Sequence, residues 1–187
     1  MVITFKEGLK FPWNKPKRLW NILWVLVPIV GWFALMGYFV KIVQNLNRGN
    51  TKEIPKMDKF WDKFVVGFLV FVKMIPFMVL LGIVSWILML IPVAGAIVYG
   101  AIAIFIVPYL VINLMVTEKF ASMWEFEKAV KTVFGNFRKY VIAFLMTLFY
   151  SAIYLLLCLV LVGIPCLAFG KEFYLVDFYR TAKMRKF

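Results

Sequence analysis

The chain has no histidine among its 187 residues, only two cysteines and only nine acidic residues. Without histidine it lacks the side chain that most often serves as general base or metal ligand near neutral pH. Cys158 and Cys166 are too few for a disulfide framework or a four-ligand zinc site. The serines Ser85, Ser122 and Ser151 have no histidine to activate them, and both thiols lie in apolar sequence, where the reactive thiolate is disfavoured. No HExxH, GxSxG, P-loop or G-x-G-x-x-G pattern occurs. The expectation is a protein with no catalytic residue, no metal site and no cofactor.

Charge is missing over long stretches too. Residues 19–40, 74–117 and 140–170 carry no charged side chain, runs of 22, 44 and 31 residues. A bilayer core about 30 Å thick takes about 20 helical residues to cross. The chain is 64% hydrophobic, against about 45–50% in an average soluble domain, so one soluble core cannot hide its apolar surface. Helices, rather than a barrel, are expected, because the runs show no alternation at period two. The first run is too long for a signal peptide and lacks a small-residue cleavage pattern.

The runs contain breaks. Leu26-Val-Pro28-Ile-Val-Gly31 recurs as Leu90-Ile-Pro92-Val-Ala-Gly95, and Val162-Gly163-Ile-Pro165 is a looser third version. Proline removes a backbone donor and glycine tolerates the dihedrals of a tight reversal, so each break is either a kink or a turn. The basic residues decide between them. They fall in four segments, five in 1–18, six in 41–63, five in 118–139 and five in 171–187, with Lys73 alone. If all three breaks are turns, the four segments share one face, as Lys and Arg do on the cytoplasmic side of membrane proteins. Four simple crossings would leave no such bias.

The fold class expected is therefore all-α integral membrane, a single domain of three helical hairpins at about 16–48, 58–117 and 137–184. It has up to six membrane segments and both termini in the cytoplasm. The first hairpin's legs reach about 15–20 Å at 1.5 Å per residue, which suggests a re-entrant arrangement. Trp13, Trp20, Trp61 and Trp124 fall near the cytoplasmic boundary, the level indoles favour. Residues Val2–Trp13 read as an interfacial anchor. An amphipathic helix is expected at about 122–135, started by a Ser122–Glu125 capping box. It serves as an elbow between hairpins or as a partner-docking surface.

Lys73 is the one charge that topology does not explain. It lies about 15 Å along a helix from Lys63, where an ammonium costs at least ~2.5–3.5 kcal/mol and normally finds a partner or an aqueous cavity. Glu172 matches it in expected depth, with Asp177 second, so a buried Lys73–Glu172 pair is one reading and snorkelling of Lys73 to the interface is the other. Ala96 and Gly100 form a small-x-x-x-small pair suited to helix packing within the chain or to a homodimer. The net charge of +13 fits a basic membrane face and anionic headgroups; no motif supports nucleic acid.

The Leu26, Pro28, Gly31, Gly37, Tyr38 pattern, Ile54-Pro55, and Phe60-Trp61-x-x-Phe64-x-x-Gly67 resemble an uncharacterised family of archaeal and bacterial multi-pass membrane proteins, a domain of unknown function. Cys158-x-x-x-x-Gly163-Ile-Pro165 and the aromatic segment ending near Tyr179-Arg180 resemble it as well, while Lys171-Glu172 departs from its pattern. The resemblance implies the architecture and brings no activity with it. The functional expectation is a non-enzymatic membrane protein that organises or binds lipid, including anionic lipid, or other membrane components at the cytoplasmic face, with a second copy or another membrane protein as partner. The alternative is a small transporter, flippase or channel with its polar site around Lys73.

Overall fold

The computed structural model describes residues 4–184, apart from the side chains of Pro92, Val160 and Met184. Val2 and Ile3 of the expected anchor lie outside that range. Among the described residues the chain is helical with no β-strand. In order come α1 (Phe5–Lys10), a 3₁₀ leg (Pro16–Leu26), α2 (Val30–Asn47), α3 (Phe60–Met89), α4 (Pro92–Ala101), a π turn (Ile102–Ile106) and α5 (Val107–Thr117). A 3₁₀ turn (Phe120–Trp124), α6 (Phe126–Gly135), α7 (Phe137–Leu157), α8 (Gly163–Gly170) and α9 (Phe173–Met184) complete it. Phe60–Met89, Val93–Thr117 and Phe137–Leu157 are long and apolar enough to cross a membrane, with mean hydropathies of 2.6, 2.3 and 2.1. The protein is therefore all-α and membrane-associated. Of the six legs expected, the other three are shorter, or interrupted, as α8 and α9 are at Lys171 and Glu172.

The three proline–glycine breaks are turns. Val27 N–H donates to Trp24 O (3.1 Å) and Gly31 N–H to Val27 O (3.0 Å); Ile91 and Gly95 repeat this with Leu88 O (3.0 Å) and Ile91 O (2.7 Å). A Cβ on Gly31 would fall on the Trp24 carbonyl, and one on Gly95 on the Leu88 carbonyl. Residues seven apart in a continuous helix are separated by about 10 Å, so this contact requires a reversal. The six-residue sequence repeat is thus a structural repeat. In the third turn Leu161 takes the left-handed conformation (φ 60°), and a Cβ on Gly163 would meet the Tyr154 carbonyl.

The chain divides into two compact units, residues 1–68 with 136–187, and residues 69–135. In the first, α9 packs against α2 and α7, and every residue from Phe173 to Tyr179 is buried. Tyrosine hydroxyls need partners when buried, and here they take backbone carbonyls of distant segments. Tyr174 donates to Phe5 O (2.8 Å), Tyr154 to Leu9 O (2.7 Å), Tyr150 to Cys166 O (2.6 Å) and Tyr38 to Pro55 O (2.8 Å). Trp13 Nε1 donates to Tyr154 Oη (2.8 Å). The N-terminal segment is consequently docked on the protein, with Phe11 buried against Phe173, rather than a free interfacial anchor. Where α2 crosses α3, a Cβ on Gly37 would fall on the Lys63 carbonyl and one on Gly67 on the Phe33 carbonyl. The two backbones touch there, and Phe33 packs edge-on to Phe64 and Phe68.

In the second unit the π turn immediately precedes Val107-Pro108. Pro108 has no N–H for the carbonyl four residues back and its ring crowds that carbonyl; one extra residue in the turn relieves both. Here α6 begins at Phe126, later than expected, because Ser122 lies inside the 3₁₀ turn. Its hydroxyl donates to Lys119 O (2.6 Å), so the capping box does not form. Glu125 instead accepts from Asn113 Nδ2 (3.1 Å) and Lys128 Nζ (2.6 Å).

Candidate functional site

Lys73 sits on α3 within the second unit, partly buried, and its Nζ donates to the backbone carbonyl of Glu118 at 2.6 Å. Glu118 caps the C-terminus of α5 in the left-handed conformation (φ 55°), its own N–H bound to Leu114 O (2.7 Å). The last carbonyls of a helix lack intrahelical donors and carry the negative end of its dipole, so an ammonium there is electrostatically favoured. One turn further along α3, Phe77 packs on Trp124 and Phe126 with ring centroids at 6.3 and 6.1 Å. Lys73, for which topology gave no account, thus closes a helix end beside the charged residues Glu118 and Lys119.

The two candidate carboxylates lie in the first unit and have basic neighbours on their own segments. Glu172 pairs with Lys171 at 3.9 Å. Asp177 is fully buried and pairs with Arg180 at 3.1 Å, one helical turn on. The Nε of Arg180 is buried with no hydrogen-bond partner, and Gly49, at φ 87°, leaves the space its guanidinium occupies. Asp177 stands among the residues expected from the sequence and Arg180 does not; their i, i+3 spacing is the signal that could have found it. Gly100 faces open space, and Ala96 is exposed, so these small residues seat no helix of the described chain.

A concave feature absent from the sequence reading lies within the first unit. The 3₁₀ leg and the third turn enclose an apolar groove of about 410 Å³, lined by Trp13, Leu19, Trp20, Leu23, Leu161 and Pro165 among others. A 3₁₀ helix brings every third residue onto one edge, which aligns Pro16, Leu19 and Ile22, and beside them Lys17, Trp20 and Leu23; Trp13 joins them from a separate 3₁₀ turn at Pro12–Asn14. Pro16, Leu19, Trp20 and Leu23 also stand at i, i+3, i+4 and i+7, so an apolar face on this leg is legible at α-helical spacing too; what the leg does not name is the third turn that completes the groove. A second hollow of about 270 Å³ lies against Ile22, Phe39, Phe169 and Lys171.

The family described as Protein of unknown function (DUF4013) matches residues 21–163. The chain belongs to that family. The match takes in both L-x-P-x-x-G turns, the α2–α3 glycine crossing and Lys73 with its Glu118 partner. Glu172, Asp177 and Arg180 lie beyond the part matched to DUF4013, as do Trp13 and Pro165 of the groove. No curated protein and no solved structure matches the chain.

Proposed function

We propose that this multi-pass membrane protein binds and organises lipid at a basic, cytoplasmic face and catalyses no reaction. The observation that supports this most directly is the outer side of α6. Ala129, Thr132 and Val133 are buried, whereas Val130 (44% exposed) and Phe134 (53%) continue the same apolar arc into the open. Charged residues take the remaining arc, with Lys128 paired to Glu125 and Lys131 to Glu127. A helix whose apolar arc is wider than the protein covers, edged by lysines, suits the headgroup–acyl boundary. The test is a nitroxide at position 134, in a chain with Cys158→Ala and Cys166→Ala, reconstituted in bilayers. Relaxation by oxygen rather than by a water-soluble nickel chelate is expected; the reverse would overturn the reading.

With both termini cytoplasmic, the third hairpin must be shallow. Leu9 and Trp13 hold Tyr154, about 22 Å along α7 from Lys139. In this reading α7 lies oblique, its exposed Ile142, Leu145, Phe149 and Ile153 facing lipid, and the apolar turn near Leu159–Val162 enters as a re-entrant tip. Single cysteines at positions 10 and 139 label from the same side of intact cells if this is right. Labelling from opposite sides would mean that α7 crosses and would remove the re-entrant geometry.

A further inference from the structure

Resting on the lipid-binding reading, we propose that the groove between the 3₁₀ leg and the third turn holds an acyl chain of one anionic phospholipid, its phosphate at Lys17. The groove has a direction. Lys15, Lys17 and Arg18 flank its lining residue Pro16 at the start of the leg; towards the leg's end come Leu23 and the exposed apolar side chain of Leu26 (74%), with Leu159 (86%) and Leu161 (73%) on the third turn. From Pro16 to Leu23 it runs about 14 Å at the 3₁₀ rise. An amphiphile with a polar head and a long apolar tail matches that gradient, whereas a soluble polar ligand finds almost no polar lining.

The charge at the head end is specific to Lys17. Lys15 and Arg18 are both engaged by Glu53, at 3.6 and 3.5 Å, and Arg18 also donates to the Ile54 carbonyl. No ion pair or hydrogen bond among the described residues engages Lys17, which is exposed and shares the 3₁₀ edge of Trp20 and Leu23. An unengaged ammonium at the mouth of an apolar groove favours an anionic headgroup over a zwitterionic one. The indoles of Trp13 and Trp20, the first donating to Tyr154, stand at the level such side chains take between headgroup and chain.

The experiment is native mass spectrometry of the full chain released from micelles containing phosphatidylglycerol or phosphatidylcholine. One phosphatidylglycerol retained per chain, in preference to phosphatidylcholine, is expected. Lys17→Gln should lower that preference about five-fold, the effect of one basic residue near an anionic surface, while leaving chain-dependent retention in place. Leu161→Asn places a polar group in the lining at a left-handed position that asparagine tolerates better than leucine; it should fold normally and lose retention of both lipids. Val162→Trp fills the groove and should do the same. Wild-type retention in folded Leu161→Asn protein would overturn the groove as the site, and an unchanged preference in Lys17→Gln would overturn the headgroup assignment. A nitroxide at 134 that still reports lipid would show that the groove alone had failed, and not the broader function.

Discussion

Lys73 closes the carboxyl end of α5: its ammonium lies 2.6 Å from the carbonyl oxygen of Glu118, 45 residues away in sequence. This bond ties α3 to α5 and gives the lysine a structural role at the end of α5. Lys73→Leu should lower unfolding stability by about 1.5–3 kcal/mol, the range for a hydrogen bond with one charged partner, and Lys73→Arg should retain most of it. In liposome flux and lipid-scrambling assays, wild type and Lys73→Leu should both stay at background. Flux in the wild type that the leucine variant abolishes would instead support a transport site.

Glycine positions separate into two kinds. At Gly37 and Gly67 an added Cβ would overlap the backbone of the facing helix, whereas at Gly82 and Gly100 it would meet nothing within 4 Å. Gly37→Ala and Gly67→Ala should each cost about 1–3 kcal/mol by forcing the helices apart. Gly82→Ala and Gly100→Ala should be neutral or stabilising by up to about 1 kcal/mol, the helix-interior difference between the two residues. Thermal unfolding of the four purified variants tests the contrast, and equal losses at all four would contradict it.

Asp177 and Arg180, paired at 3.1 Å with the carboxylate fully buried, should behave as one energetic unit. Removing either leaves the other's charge buried, so Asp177→Leu or Arg180→Met should lose about 3–5 kcal/mol, while the double variant recovers most of that loss. A double-mutant cycle by chemical unfolding measures the coupling. Simple additivity would show that the pair is not an energetic unit.

The start of α3 should be acid-sensitive. Lys63 is buried, and its ammonium lies 3.4 Å from an Asp58 carboxylate oxygen, which holds the Asp58 carboxyl below its usual value of 3.8. A depressed carboxylate pKa contributes stability that is fully present above the unfolded value and is lost as pH falls through the folded one. Acidification from about pH 5 to below the usual carboxylate range should therefore lower the melting temperature more in wild type than in Asp58→Asn. Parallel pH profiles for the two proteins would rule this out.

What could be read from the sequence was set by local chemistry. The repeat Leu26–Gly31 and Leu90–Gly95 marked two reversals because proline and glycine act on their own backbone. The uncharged runs marked the long apolar helices for the same reason. In contrast α9, which no uncharged run marks, is buried from Phe173 to Tyr179. The hydroxyl of Tyr174 is satisfied by a carbonyl 169 residues away, which no local pattern names, and Asp177 by Arg180 at a local i, i+3 spacing but in a space opened by the distant Gly49. Ser122 and Glu125 carried the capping-box spacing, yet the Asn113 amide reaches both the Ser122 carbonyl and the Glu125 carboxylate and draws them into a different turn. The groove was illegible for a related reason, since the apolar face of the 3₁₀ leg becomes a groove only against a turn some 140 residues later.

The tyrosine bonds to Phe5 and Leu9 also set an order of events. The carbonyls of the first helix wait for hydroxyls at positions 154 and 174, so the segment Phe5–Lys10 has no final seat until residue 174 has been made. At about 5–20 residues per second of synthesis, that interval lasts roughly 8–30 s. Throughout it, Phe5 and Phe11 are exposed greasy groups beside a membrane, and insertion of the later helices must finish before the earliest one can dock. The first unit is thus closed by its ends, as a clasp fastened last.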